Sequence, residues 1–147
     1  MKKLLFAMIV FALVSTSGLA HQASPVGLWK SIDDNTSKAK ALIRITESDG
    51  ELKGRIENLF QEKNEEANPK CTKCDGAYKD QPVIGMMVLS GMKQDGEDYS
   101  SGQILDPDNG KIYSCKLTLL DGGKKLKVRG YIGIRWLGRT EIWLREE

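Results

Sequence analysis

The chain has 147 residues, with 22 Lys and Arg against 20 Asp and Glu, so its formal net charge is +2. This length is typical of one domain, and the near balance of charge excludes the strong basic bias of a nucleic-acid-binding protein. Charged residues make up 29% of the chain and hydrophobic residues 40%, as is usual for a soluble globular protein. The single histidine excludes sites that need two or more imidazoles, and we predict no cofactor and no metal site.

Residues 1–20 have the pattern of a secretory signal peptide. Two lysines follow the initiator methionine, an apolar run covers residues 4–14, and small residues lead to Ala20. The run is 11 residues long, whereas a membrane-spanning helix needs about 20. We therefore predict cleavage after Ala20 and a periplasmic or secreted protein. Its single domain covers residues 21–147 and has no transmembrane segment.

The remainder of the chain reads as short strands separated by turn signals. The eight predicted strands span residues 26–32, 41–46, 52–60, 83–92, 99–105, 111–120, 125–134 and 139–145. A tight turn with Pro107 and Gly110 ends the fifth strand, and a long polar connection covers residues 61–81. Eight strands joined mostly by hairpins predict an all-β, antiparallel up-and-down barrel, which leaves no exposed edges. A two-sheet β-sandwich is the alternative.

The first predicted strand carries a short motif, Gly27-Leu28-Trp29. It is similar to the Gly-x-Trp motif of lipocalins and related calycin barrels. That resemblance implies that Trp29 plugs one end of the barrel and that an arginine from the last strand packs across its indole, an attractive cation–π contact. Arg139 and Arg145 are the two candidates for that arginine.

A wider resemblance covers most of residues 21–147. The chain is similar to a bacterial family of exported proteins, the domain-of-unknown-function 2147 family, which implies a calycin-like barrel in the bacterial envelope and no established reaction. The segments that carry the resemblance are 25–29, 49–56, 71–74, 81–85, 102–107, 109–113, 128–133 and 138–143.

The connection at 61–81 contains Cys71 and Cys74, separated by two residues. The neighbouring Pro69 and Gly76 indicate a turn rather than the start of a helix, which a redox-active cysteine pair would need. A zinc site would need four ligands, so we predict a structural disulfide between these two residues. Cys115 lies on a predicted strand and is either a buried free thiol or the partner of one of them.

Four polar or aromatic residues on the last two strands and their loop are candidates for contact with a ligand, and Tyr113 is a fifth. Strict alternation places Arg129 and Tyr131 outside the barrel unless Gly130 introduces a bulge. Packing of these aromatic residues in the core is the alternative interpretation. The candidates are Arg129, Tyr131, Trp136, Trp143 and Tyr113.

Together these features predict an exported barrel that binds a small, partly apolar or amphipathic ligand, or a component of the envelope. The alternative is a non-catalytic structural or stress protein of the envelope that acts through its surface or through residues 61–81. We favour a protein without enzymatic activity, because the chain offers no complete catalytic motif. The sequence predicts no nucleic-acid partner and indicates no particular protein partner.

Overall fold

A computed structural model describes residues 23–134 and 137–147 of the chain. The predicted signal peptide at residues 1–20, its cleavage point after Ala20 and the ligand candidate Trp136 lie outside the described residues. Within the described part of the chain, no helix is long and apolar enough to cross a membrane.

Eight antiparallel strands form a closed barrel in which each strand pairs with the next along the chain. The ring is closed by the pairing of the first strand with the last, with Trp29 opposite Arg145 and Lys30 opposite Leu144. The predicted up-and-down barrel is therefore confirmed, and the alternative β-sandwich is excluded. The strands are β1 (Gly27–Ile32), β2 (Ala39–Ser48), β3 (Glu51–Leu59), β4 (Met87–Asp95), β5 (Asp98–Asp106), β6 (Lys111–Leu120), β7 (Lys125–Tyr131) and β8 (Gly138–Arg145).

Three predicted strand boundaries differ from the observed ones by three or four residues, and one of them is the end of β4, which lies at Asp95 instead of residue 92. Strand β4 begins at Met87 instead of residue 83, because the backbone N–H of Met86 donates to the carbonyl of Val83 and forms a turn before the strand. Val83 and Met86 lie in this turn, and their apolar side chains point into the core, where they are buried. Strand β7 ends at Tyr131 instead of residue 134, and Ile132 beyond its end is 56% exposed.

One end of the barrel is filled with side chains, and we call it the Trp29 end. Trp29 is fully buried there, and its indole N–H donates to the carbonyl of Pro25 at 2.7 Å. Buried aliphatic and sulfur-containing side chains from the surrounding strands complete this part of the core. They include Ile45, Leu52, Met92, Leu117 and Leu126.

The connection between β3 and β4, residues 60–86, folds against the opposite end of the barrel. It closes on itself through a bridge between Lys70 and Pro82 and through a hydrogen bond from the N–H of Cys71 to the carbonyl of Gln81. The connection is tied to β3, because the N–H of Gly85 donates to the carbonyl of Ile56. It therefore forms part of the rim of the barrel, and we call residues 60–86 the rim segment.

Candidate ligand-binding cavity

The end of the barrel opposite Trp29 is hollow, and we call it the cavity end. A cavity of about 570 Å³ lies there, inside the size range of about 300–1,000 Å³ usual for small-molecule sites. It opens between the β1–β2 loop, the β5–β6 turn and residues 60–73 of the rim segment. Its apolar wall is formed by inward-facing residues of six strands: Ile43, Ile56, Val88, Ile104, Val128 and Trp143.

Strand β8 places a polar and an aromatic side chain on the same inward face. Trp143 is 1% exposed, and its indole N–H donates to Oε2 of Glu141 at 2.9 Å. Both residues line the cavity. Burial raises the pKa of the Glu141 carboxyl above its usual value, and this effect outweighs the hydrogen bond from Trp143 and the positive charge of Lys40.

A network of ion pairs borders the mouth of the cavity. Lys40, at the start of β2, reaches across the mouth, and its Nζ lies 2.7 Å from Oδ2 of Asp108 in the β5–β6 turn and 3.9 Å from Oδ2 of Asp33. Arg139 of β8 pairs with Asp34 of the β1–β2 loop. The two cations therefore hold two loops around the opening.

The pKa values in this network follow from those contacts. Backbone N–H groups, first that of Thr36, lower the pKa of Asp33, and the Arg139 hydrogen bond lowers that of Asp34. Burial alone would lower the pKa of Lys40, but the hydrogen bond and charge of Asp108 and other nearby acids together raise it. Asp33, Asp34 and Lys40 are thus all stabilised in their charged forms.

Three carboxylates at the mouth are close enough to share a metal ion. Oxygen atoms of Asp33, Asp34 and Glu141 all lie within 4.8 Å of one another. However, Asp34 already binds the Arg139 guanidinium, and Asp33 lies 4.0 Å from Nη2 of Arg139. Two of the three carboxylates are therefore already in contact with or close to a side-chain cation, and we assign no metal site to this cluster.

The structure separates the sequence-predicted ligand contacts into two groups. Tyr113 and Trp143 line the cavity, and the Tyr113 hydroxyl accepts a hydrogen bond from Nδ2 of Asn109 at 2.9 Å. Arg129 and Tyr131 are absent from the cavity wall, because β7 pairs with both neighbours without a bulge at Gly130 and strict alternation turns them outward. Outside the barrel, Nη1 of Arg129 donates to the Thr140 hydroxyl at 3.1 Å.

The two arginines that were candidates to cover Trp29 lie at opposite ends of the barrel. Arg145 covers the Trp29 ring with its guanidinium carbon 4.3 Å from the ring centre. Arg139, the other candidate, borders the cavity mouth instead and pairs with Asp34. The reason is the register of β8, which places Arg145 opposite Trp29 and Arg139 opposite Gly130 of β7.

The predicted disulfide between Cys71 and Cys74 is confirmed. Both cysteines are buried, and Sγ of Cys71 lies 3.3 Å from the carbonyl oxygen of Pro107 in the β5–β6 turn. The disulfide therefore closes a short buried loop that packs against the β5–β6 turn beside the cavity. Cys115 is a free thiol in the barrel interior, and burial raises its pKa to about 12.

The polar residues of the mouth were not predicted as site residues. Lys40, Asp33, Asp34 and Asp108 come from separate loops and strand ends, and only closure of the barrel brings them together. Glu141 did have a signal in the sequence. It lies two positions before Trp143 on the same strand, so alternation places both side chains on one face.

A closed eight-stranded barrel with an arginine-covered tryptophan at one end and a cavity at the other has a lipocalin-like fold. The barrel is similar to the solved structure of protein HP1028 from the human pathogen Helicobacter pylori, which is described as belonging to the lipocalin family. The TM-score is 0.68 at 16% sequence identity, over 85% of this chain and 84% of that one.

The sequence identifies the family more narrowly than the fold does. Residues 27–145 match the profile of a bacterial family described as uncharacterized protein conserved in bacteria (DUF2147), and the chain belongs to that family. No curated protein sequence matches the chain.

Proposed function

We propose that this protein binds a small, partly apolar ligand in the cavity of its barrel, in the periplasm or outside the cell. The observation that carries the proposal is the hollow end of about 570 Å³. An apolar wall with a few polar groups at one side is the usual composition of a small-molecule site, because apolar contact provides affinity and the polar groups fix orientation.

The distribution of the core supports this proposal. Side chains such as Trp29, Leu52 and Met92 fill the Trp29 end to full burial. At the other end, Ile43 and Val128 are each 4% exposed and face the cavity. An eight-stranded barrel is just wide enough for its own side chains to fill it or for one small ligand to be held.

The position of the rim segment also favours ligand binding over the alternative of a structural envelope protein acting through residues 61–81. Lys70, Thr72 and Lys73 of this segment line the cavity. The Cys71–Cys74 disulfide closes a short loop within the segment, and Sγ of Cys71 lies 3.3 Å from the carbonyl oxygen of Pro107 in the β5–β6 turn. A segment fixed in this way is suited to control entry to a cavity.

Native mass spectrometry of the protein purified from the compartment in which it resides tests the proposal directly. We expect bound small molecules to be released on denaturation. Binding of Nile red, an uncharged fluorescent probe, provides a second measurement. We expect Val128→Trp, which fills the cavity, to abolish probe binding, whereas Lys127→Trp on the outer face of the same strand should leave it unchanged. Equal probe binding by both variants would contradict the proposal.

Export is the second part of the proposal. The signal-peptide pattern of residues 1–20 supports it, and so does the disulfide, because disulfides persist mainly in oxidising compartments outside the cytoplasm. N-terminal sequencing of the protein recovered from the periplasm or medium should begin at His21. A sequence that begins at Met1 would contradict cleavage after Ala20.

A further inference from the structure

Glu141 differs in its partners from three other carboxylates at the cavity mouth. Asp33, Asp34 and Asp108 each have a cation within 4.0 Å. Within residues 23–134 and 137–147, Glu141 has no ion pair, and its hydrogen bond comes from the uncharged indole of Trp143. The Glu141 carboxyl therefore lies in the cavity wall without a direct counter-ion.

The charges around Glu141 do not supply that counter-ion. Lys40 is engaged with Asp108 at 2.7 Å, and Arg139 is engaged with Asp34. Among the described residues that line the cavity or border its mouth there are seven carboxylates and five cations, and oxygen atoms of Asp33, Asp34 and Glu141 lie within 4.8 Å of one another. The carboxylates are Asp33, Asp34, Glu62, Glu65, Asp106, Asp108 and Glu141, and the cations are Lys38, Lys40, Lys70, Lys73 and Arg139. The local excess of negative charge favours a cationic group and disfavours an anionic one. The effect is stronger than in bulk water because the site is partly buried.

We infer that the cavity selects amphiphiles whose polar group is a protonated amine, with the ammonium bound to the carboxylate of Glu141 and the apolar part against Ile43 and Val128. This inference rests on the ligand binding proposed above. An ammonium offers three N–H donors, and a carboxylate has several lone pairs of which Trp143 uses one. Hydrogen bonds between charged groups are also about twice as strong as those between neutral groups.

Displacement of Nile red by three ligands of equal chain length tests the inference. Octylamine, octanol and octanoate share the apolar part and differ only in the charge of the polar group. The measurement is made at mildly alkaline pH, well above the ordinary pKa of 4.5 of a glutamate carboxyl and at a pH where the amine is still protonated. We expect octylamine to displace the probe at about tenfold lower concentration than octanol, and octanoate to be weaker than octanol.

Two variants and a salt series assign the preference to Glu141. Glu141→Gln keeps the shape and the acceptor for Trp143 but removes the charge. Octylamine and octanol should then displace the probe at equal concentrations. Glu97→Gln, an exposed position in the β4–β5 turn at the Trp29 end, removes the same charge elsewhere and should keep the preference. In the wild-type protein, added salt should weaken displacement of the probe by octylamine and leave displacement by octanol unchanged. This result does not depend on the folding of any variant.

The outcomes separate this inference from the proposed function. Probe binding with equal displacement by octylamine and octanol would overturn the amine preference and leave ligand binding intact. A preference that survives in Glu141→Gln would overturn the role of Glu141. If the wild-type protein bound neither Nile red nor any of the three ligands, the proposed function and this inference would both be wrong.

Discussion

The guanidinium carbon of Arg145 lies 4.3 Å from the centre of the Trp29 ring and covers it at the end of the barrel opposite the cavity. Gly27 makes this contact possible. Its φ is +141°, and a Cβ at this position would lie 2.7 Å from Nη1 of Arg145. The Gly-x-Trp motif therefore provides both the ring and the space for the arginine that covers it.

Arg145 also connects the segment before β1 to the β6–β7 turn, and its loss should destabilise the barrel. Its side chain donates to the carbonyls of Gly123, Val26 and Ser24 at 2.6, 2.9 and 2.5 Å. We expect Arg145→Met to lower the free energy of unfolding by about 2–4 kcal/mol, since it leaves several acceptors unpaired and removes the cation–π contact. Urea unfolding measures the loss.

Arg44→Met is the matched control for this prediction. Arg44 pairs with Glu57 and Glu147 on the outer surface, where ion pairs contribute little to stability. Its urea midpoint should stay close to that of the wild-type protein. Equal midpoints for the Arg145 and Arg44 variants would show that the cover over Trp29 does not stabilise the fold.

Gly110 determines how closely the rim segment approaches the β5–β6 turn. A Cβ at Gly110 would collide with the carbonyl oxygen of Lys73 and would lie 2.8 Å from the backbone nitrogen of Cys74. Its φ is +73°, close to the +65° of Gly96, where a Cβ would meet no neighbour. Gly96→Ala therefore reports the backbone strain alone, about 1–2 kcal/mol.

We expect Gly110→Ala to cost this strain and in addition about 1–3 kcal/mol for the displaced rim segment. Thermal or urea unfolding of the two glycine variants gives the difference between them. Limited proteolysis gives a second measurement, since cleavage within residues 61–81 should be faster only in Gly110→Ala. Identical stabilities would mean that the rim segment is not held against this turn.

The three cysteines should be distinguishable by thiol titration. Cys71 and Cys74 are joined, and Cys115 is a buried free thiol with its pKa raised to about 12 by burial. We expect no rapid reaction of the folded protein, because thiolate is the reactive form and Cys115 neither ionises nor reaches solvent. Unfolding in urea should expose one thiol, and unfolding with prior reduction should expose three. Three thiols without reduction would contradict the disulfide.

Local sequence patterns predict the barrel well where turn residues border a strand on both sides. Strand β6 was predicted at residues 111–120, and this is its observed range. The polar turn at 106–110 marks its start, and the glycines at 122 and 123 follow its end. The start of β4 was not predictable in this way. Val83 and Met86 lie in a turn but are buried, so their apolar side chains give the same sequence pattern as a buried strand.

The cavity was less predictable than the barrel, because its polar groups are distant in the sequence. Trp143 and Tyr113 were candidates because aromatic residues on strands are visible in the sequence. The ion pair between Lys40 and Asp108 joins residues 68 positions apart. No local pattern can show such a pair, since it exists only after the barrel closes and places the start of β2 across from the β5–β6 turn.

The pH dependence of stability should reveal Glu141. Burial raises the pKa of its carboxyl above the ordinary value of 4.5. A carboxyl with a higher pKa in the folded state binds its proton more tightly there. Its contribution to stability is therefore fully present below about pH 4.5 and is lost as the pH rises through the raised pKa. Glu141→Gln cannot ionise, so its stability relative to the wild-type protein should increase between acidic and neutral pH.

Asp34→Asn should show the opposite trend and serves as the control. Arg139 lowers the pKa of Asp34 below 3.8, so the Asp34 carboxylate stabilises the protein above that pH and loses its contribution as the pH falls through the lowered pKa. The deficit of Asp34→Asn should therefore be largest at neutral pH and shrink in acid. Urea unfolding at a series of pH values measures both variants, and parallel curves for the wild-type protein and Glu141→Gln would contradict a perturbed carboxyl in the cavity wall.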